Sequence, residues 1–84
     1  MTYHLPLEIT HEEYLWMARS PATPGLLVTG ATLPQLLGEL PVVAQALFQT
    51  CREKGWAFVK DAPEADLSEI VWVLELPHPL LQAA

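Results

Sequence analysis

The chain has 84 residues, of which ten are acidic and four basic, giving a formal net charge of −6. Nucleic-acid binders need clustered basic residues to neutralise phosphates, and the four here are scattered singly, so we predict no direct binding to DNA or RNA. Apolar residues make up 51% of the chain, and a domain this small cannot bury them all. We therefore expect residues 1–84 to form one domain whose surplus apolar surface is covered by oligomerisation or by a constant partner.

Three features of the sequence predict a soluble cytoplasmic protein. Cys51 is the only cysteine, which excludes an intramolecular disulfide and fits a reducing compartment. Residues 1–9 lack the basic and apolar segments of a signal peptide. The weakly charged stretch 20–51 is interrupted by prolines and glycines, so no apolar helix of about 20 residues fits and no membrane span is predicted.

Two segments at the start of the chain have the pattern of β-strands. Residues 3–9 alternate apolar and polar side chains, which is typical of a half-buried strand. Pro6 lacks a backbone N–H, so this strand is expected at the edge of a sheet. The polar residues 10–13 suit a hairpin connection to a second strand over residues 14–20, which is apolar on both faces.

A turn and a short third strand follow. Pro24 fixes φ for the first central position of a turn, and Gly25 tolerates positive φ at the next position. These two residues therefore predict a tight turn before a strand over residues 26–30, which ends at Gly30. The short connections predict an antiparallel arrangement of the first three strands.

A long helix is predicted next. Thr32 is a suitable N-cap, and Gly55 is suited to a left-handed C-cap. Pro41 inside the helical pattern predicts a kink or break near residues 38–40, since it removes a backbone hydrogen bond. The apolar positions repeat with the helical period and form one stripe: Leu33, Leu36, Leu37, Leu40, Val43, Ala44, Leu47, Phe48 and Cys51.

The rest of the chain predicts one more strand. Residues 56–67 have no clear pattern, although a strand could begin at Trp56. Residues 68–76 form an apolar strand, and Leu80 and Leu81 form a short apolar tail. The predicted fold is therefore α+β, with an antiparallel sheet of three to four strands, one long helix on one face and the order β-β-β-α-β.

The apolar character of two strands predicts one contiguous interaction surface. One helix covers only one face of the sheet, yet the second and last strands are apolar on both faces. Leu15 and Met17 on the second strand, and Val71 and Val73 on the last, are therefore left in need of cover. We expect a homodimer or higher homo-oligomer, or a partner protein, to bury them.

No pattern of reactive residues predicts catalysis, a metal or a cofactor. His4, His11 and His78 lack metal-ligand spacing, and Cys51 on the apolar stripe is interpreted as a buried structural thiol. The three tryptophans are interpreted as core and interface residues. Binding of RNA or a small molecule by these rings is a weaker hypothesis, because no basic residues lie between them. We predict that the protein is not an enzyme.

One stretch of the sequence resembles the HicB-like antitoxin family. Residues 16–37 contain a Pro-x-x-Pro-Gly segment at 21–25, a strand ending at Gly30, Thr-Leu opening a helix at 32–33, and paired leucines at 36–37. The similarity covers roughly residues 14–48, and the order of predicted elements is similar to the family's fold.

The resemblance implies a function as well as a fold. It implies an antitoxin that neutralises a small, basic, RNA-cleaving toxin, commonly as a dimer or higher oligomer. Family members often carry a C-terminal DNA-binding module, whereas only eight residues follow Leu76 here, so a stand-alone member without that module is expected. The alternative is an orphan homo-oligomeric module, regulatory or structural, with no toxin partner.

Overall fold

A computed structural model describes residues 1–77. The predicted α+β class and the order β-β-β-α-β are confirmed, with one helix packed on one face of a four-stranded sheet. His78 and the Leu80–Leu81 tail lie outside the described residues. The elements are β1 (Tyr3–Glu12), β2 (Leu15–Ser20), β3 (Thr23–Gly30), α1 (Leu33–Lys54), a single 3₁₀ turn (Leu67–Glu69) and β4 (Ile70–Glu75).

The sheet is mixed, and the prediction of an antiparallel sheet is wrong for its last strand. The strand order is β3-β2-β1-β4, and β4 runs parallel to β1. Because β3 runs in the same direction as β1, the helix and the segment after it return the chain to the end where β1 starts. Tyr3 at the start of β1 therefore pairs with Ile70 at the start of β4.

The first strand lies inside the sheet, so its predicted place at the edge is wrong. It pairs with β2 through Glu8–Glu12 and with β4 through Tyr3–Glu8. Pro6 lies opposite Val73, in the half of β1 that has β4 on one side and, within residues 1–77, no neighbour on the other. The missing N–H of proline is accommodated because this half of the strand is locally an edge.

The predicted turn at Pro24 and Gly25 is also wrong. The chain turns at residues 21–22, and both Pro24 and Gly25 lie inside β3. Pairing between β2 and β3 is irregular: Arg19 lies opposite Leu27 but Ser20 lies opposite Thr23, so the extra residues 24–26 form a bulge in β3. Gly25 has a φ of +93°, so the positive φ expected of this glycine is present, but it serves the bulge.

The helix is continuous over 22 residues, so of the kink or break predicted near residues 38–40 the break does not occur. Pro41 lies on the exposed side of α1, where water can satisfy the carbonyl that loses its intrahelical bond. Both predicted caps are confirmed. The Thr32 hydroxyl accepts a hydrogen bond from the Gln35 backbone N–H at 3.2 Å, and Gly55 adopts the left-handed conformation with a φ of 73°.

Replacing the capping threonine is expected to weaken the fold measurably. Thr32→Ala removes the acceptor for an otherwise unpaired N–H of the first helical turn and should lower the free energy of unfolding by about 1 kcal/mol. Urea denaturation measures the change. Thr50→Ala in the same helix is the control: its hydroxyl bonds a carbonyl already used by the helix, so its loss should be close to neutral. Equal losses in the two variants would contradict a specific capping role.

The core is closed by the helix and by an irregular segment. The helix packs mainly on β3 and less on β2, which leaves the β1–β4 half of the same face to other cover. Residues 56–66 form no strand, yet several of their side chains are buried there. The Phe58 ring lies edge-on to Trp72 of β4, with centroids 6.5 Å apart. The buried members of this segment are Phe58, Val59, Ala62 and Ala65.

Candidate protein-interaction surface

The four residues predicted to form an interface lie on the sheet face opposite the helix, here called the open face. Strand alternation puts Trp72 on the helix side, where it packs against the core, and its neighbours on the open face. Val71 and Val73 there are 45% and 47% exposed. Leu15 is also exposed and Met17 is half-buried, on the side of β2 opposite the buried Ala18.

Leu27 is a further apolar residue of the open face that the sequence did not reveal. It is 56% exposed and lies opposite Arg19, next to Met17. The predicted strand 26–30 was too short to show alternation, whereas in β3 the buried residues Leu26 and Val28 flank it. Leu15, Met17 and Leu27 together are called the β2–β3 patch.

The second apolar cluster is called the β4 patch and consists of Val71, Val73 and Pro6. Pro6 joins it because it lies directly opposite Val73. Between the two patches runs a charged row in which Glu8 lies opposite Arg19 on one side and Glu75 on the other. The expectation of one contiguous apolar surface is therefore wrong.

The physical reason is the strand order. A contiguous surface requires β2 and β4 to be neighbours, but β1 lies between them and presents polar residues to the open face. The Arg19 Nε and Glu8 Oε1 atoms are 3.8 Å apart, and both side chains are well exposed, so this pair contributes little to stability. Its effect is to separate the two apolar patches.

The β2–β3 patch has an acidic rim. Glu12 lies opposite Leu15 in the sheet, and Glu13 follows in the hairpin turn with a φ of +50°. A shallow cavity of about 400 Å³ opens on this side of the sheet. Its lining combines apolar and charged groups: Thr10, Glu12, Met17, Arg19 and Leu27. The Glu12 and Glu13 carboxylates lie beside Leu15 at the hairpin end of the patch, and Arg19 lies at its other end. The hairpin end therefore suits a partner that is both apolar and basic.

A second cavity lies at the other end of the molecule, between the end of α1 and the segment 56–66. It has a volume of about 360 Å³ and includes Cys51, Arg52 and Glu64 in its lining. The Tyr3 hydroxyl donates to Glu64 Oε1 at 3.3 Å. Desolvation, together with the nearby Glu64 carboxylate, raises the pKa of Tyr3. Cys51 is buried, as predicted for a structural thiol.

The N-terminus is held by Glu69 at the start of β4. One carboxylate oxygen of Glu69 accepts a hydrogen bond from the Asp66 backbone N–H at 2.8 Å, and the other lies 3.2 Å from the Met1 ammonium. The Asp66 N–H and the ammonium lower the pKa of Glu69. This carboxylate ties both parallel strands together at their starting ends.

The histidines and acids of residues 1–77 are not arranged as a metal site. Within that range, no three His, Cys, Asp or Glu side chains are close enough together to hold an ion. His4 and His11 are exposed, and His11 stacks on Trp16 with ring centroids 4.1 Å apart. Trp16 is thereby accounted for as a packing residue of the sheet.

Comparisons with protein-family models, with curated proteins and with solved structures give no match. The resemblance to HicB-like antitoxins remains a prediction from residues 16–37. No helix in the described part of the chain has the length and apolar character needed to cross a bilayer.

Proposed function

We propose that this chain is a protein-interaction module of the HicB-like antitoxin type, which binds a small basic RNA-cleaving toxin through the β2–β3 patch. The observation that carries the proposal is the apolar group of exposed Leu15 and Leu27 with half-buried Met17, beside the carboxylates of Glu12 and Glu13. The single cysteine suits work in the reducing cytoplasm.

Charge supplies the mechanism of neutralisation. A ribonuclease must carry positive charge where it binds the phosphates of RNA. A carboxylate-rimmed apolar patch on a chain of net charge −6 is complementary to such a surface, which speeds association and sets orientation. Binding there blocks RNA from the toxin, and the apolar floor supplies the affinity.

The test is co-expression with any small basic protein encoded beside this gene, followed by calorimetry and an RNA-cleavage assay. Leu27→Lys places a positive charge in the patch and should weaken binding about tenfold or more, restoring RNA cleavage. Val42→Lys is the control, because Val42 is 63% exposed on the outer side of α1 and should leave binding unchanged. Unaltered binding by Leu27→Lys would contradict the assignment.

The second candidate function is an orphan homo-oligomeric module without a toxin. It is favoured by the β4 patch, which lies apart from the β2–β3 patch and has no acidic rim of its own beyond Glu75. Both candidate functions include self-association. Only the antitoxin function requires a basic protein, encoded beside this gene, that binds this chain.

A further inference from the structure

We infer that β4 pairs antiparallel with β4 of a second copy across a two-fold axis, joining the two four-stranded sheets into one sheet of eight strands. The inference specifies the geometry of the self-association proposed above and does not depend on a toxin. It assigns the β4 patch to the second copy and leaves the β2–β3 patch free.

The outer edge of β4 is open and unprotected. Among residues 1–77, no strand pairs with this edge. Natural edge strands are usually blocked by lysine, proline or a bulge, since their free N–H and C=O groups otherwise pair with another chain. The strand β4 (Ile70–Glu75) has none of these, and Glu75 is its only charged residue.

The opposite edge of the sheet is formed by β3 and is protected, which distinguishes it from the β4 edge. Strand β3 contains Pro24, which lacks an N–H, and Gly25, whose positive φ distorts the strand at the bulge. These features prevent regular pairing of a new strand along its full length. Of the two outer strands of the sheet formed by residues 1–77, β4 is the one with a regular edge for pairing.

Apolar groups are exposed on both faces of β4. Val71 and Val73 are exposed on the open face, and Leu74 is 41% exposed on the helix side. The helix packs on β3 and β2, so it does not cover this strand. An added strand would shield apolar groups on both faces as well as satisfy the backbone.

The side chains select one pairing register. A two-fold axis perpendicular to the sheet keeps the faces of both copies aligned, so opposed residues share a face. With the axis at Trp72, Val71 lies opposite Val73 of the second copy, and Ile70 lies opposite Leu74. Every opposed pair within residues 70–74 is then apolar.

The neighbouring registers are less favourable. Moving the axis to Val73 places the Glu75 carboxylate opposite Val71, and moving it to Val71 places Glu69 opposite Val73. With the axis at Trp72, Glu75 at the end of β4 lies opposite Glu69 of the second copy, just before that copy's β4 begins. The Glu69 carboxylate is already paired with the Met1 ammonium at 3.2 Å, which reduces the repulsion between the two acids.

A second copy fits this edge better than a basic partner does. Residues 70–74 are uncharged, so they offer nothing specific to a basic protein, and they add no repulsion beyond that of Glu69 and Glu75 to two chains of net charge −6. A patch that is complementary to itself closes under two-fold symmetry and forms a dimer without growing into a fibre.

Sedimentation of the full-length chain at tens of micromolar tests the inference, with the expected result of a dimer. Val73→Lys places a charge at the paired edge and should raise the dimer dissociation constant about tenfold or more. Leu27→Lys is the matched control, on the same face but in the β2–β3 patch. It should leave the dimer intact while weakening toxin binding, so failure of the dimer and failure of the proposed function are separately visible.

The register has its own test. In the Val71→Lys/Val73→Glu variant, opposite charges face each other across an axis at Trp72, whereas in Val71→Lys/Val73→Lys like charges do. We expect the first variant to dimerise more strongly by about tenfold, although the second carries less net negative charge. Circular dichroism verifies that both fold.

Three outcomes overturn the inference. A folded wild-type monomer at tens of micromolar excludes pairing of two copies at this edge. The same conclusion holds if residues 78–84 protect the β4 amides of that monomer from hydrogen exchange. A Val73→Lys protein that dimerises like the wild type excludes β4 as the interface. Equal dimerisation of the two double variants, or a stronger dimer for the double lysine, excludes the register centred on Trp72.

Discussion

Phe58→Ala is expected to lower the free energy of unfolding by about 3–5 kcal/mol, because it empties a large site in the core. The ring is only 3% exposed and lies edge-on between Phe48 of α1 and Trp72 of β4, with centroid distances of 5.5 and 6.5 Å. Removing it leaves a cavity that neither the helix nor the strand can fill without moving. Urea denaturation followed by tryptophan fluorescence measures the loss.

Trp56→Ala is the control for this prediction. Trp56 belongs to the same segment and is the larger residue, but it is 61% exposed. Its one described aromatic interaction is with the Lys54 ammonium, 5.5 Å above the ring, and contacts of this kind at exposed sites contribute about 0.5–1 kcal/mol. A loss in Trp56→Ala as large as that in Phe58→Ala would show that the whole segment, rather than its buried ring, supports the fold.

Gly30→Ala is expected to cost about 2–3 kcal/mol, because a side chain at this position has no room. A Cβ atom there would lie 2.7 Å from the Leu36 backbone nitrogen and 3.0 Å from its Cα. These are backbone atoms of the first helical turn, which the Thr32 cap holds in place. Moving that turn would also displace the Leu36 side chain, which is fully buried.

Gly38→Ala is the matched control, and it is expected to raise the free energy of unfolding where Gly30→Ala lowers it. Gly38 lies inside α1 on its exposed side, and an added Cβ would meet nothing within 4 Å. Alanine in a helix interior is more stable than glycine by about 0.5–1 kcal/mol, so this variant should be more stable than the wild type. Thermal and urea denaturation of both variants check the pair. If Gly30→Ala proved as stable as the wild type, the first turn of α1 could not lie as close to Gly30 of β3 as the structure places it.

The helix shows how much local sequence can determine. Its start at Thr32 and its end at Gly55 depend on the chemistry of single residues near the backbone, which is readable without the fold. The effect of Pro41 was not readable. A proline breaks a helix where the freed carbonyl would be buried, and only packing shows that Pro41 faces solvent.

For the candidate interaction surface, too, one part was readable from local sequence and another part was not. Alternation along one strand predicted that Leu15 lies on the same side as Met17, and Val71 on the same side as Val73, because side-chain direction within a strand follows from its period. Whether the two groups touch depends on strand order. Local pattern carries no information on which strands are neighbours, and β1 between them separates one expected surface into two.

The sequence by itself determined the order of the strands and helix, the caps of α1 and its apolar stripe, since each follows from periodicity or from residues close together in the chain. The tertiary structure alone decided the parallel pairing of β4, the internal place of β1 and the burial of Phe58 in an irregular segment. These depend on contacts between residues far apart in the chain, such as the Lys60 N–H with the Ala22 carbonyl at 3.0 Å. A pairing of that kind is selected by the packing of the whole sheet, which no local pattern contains.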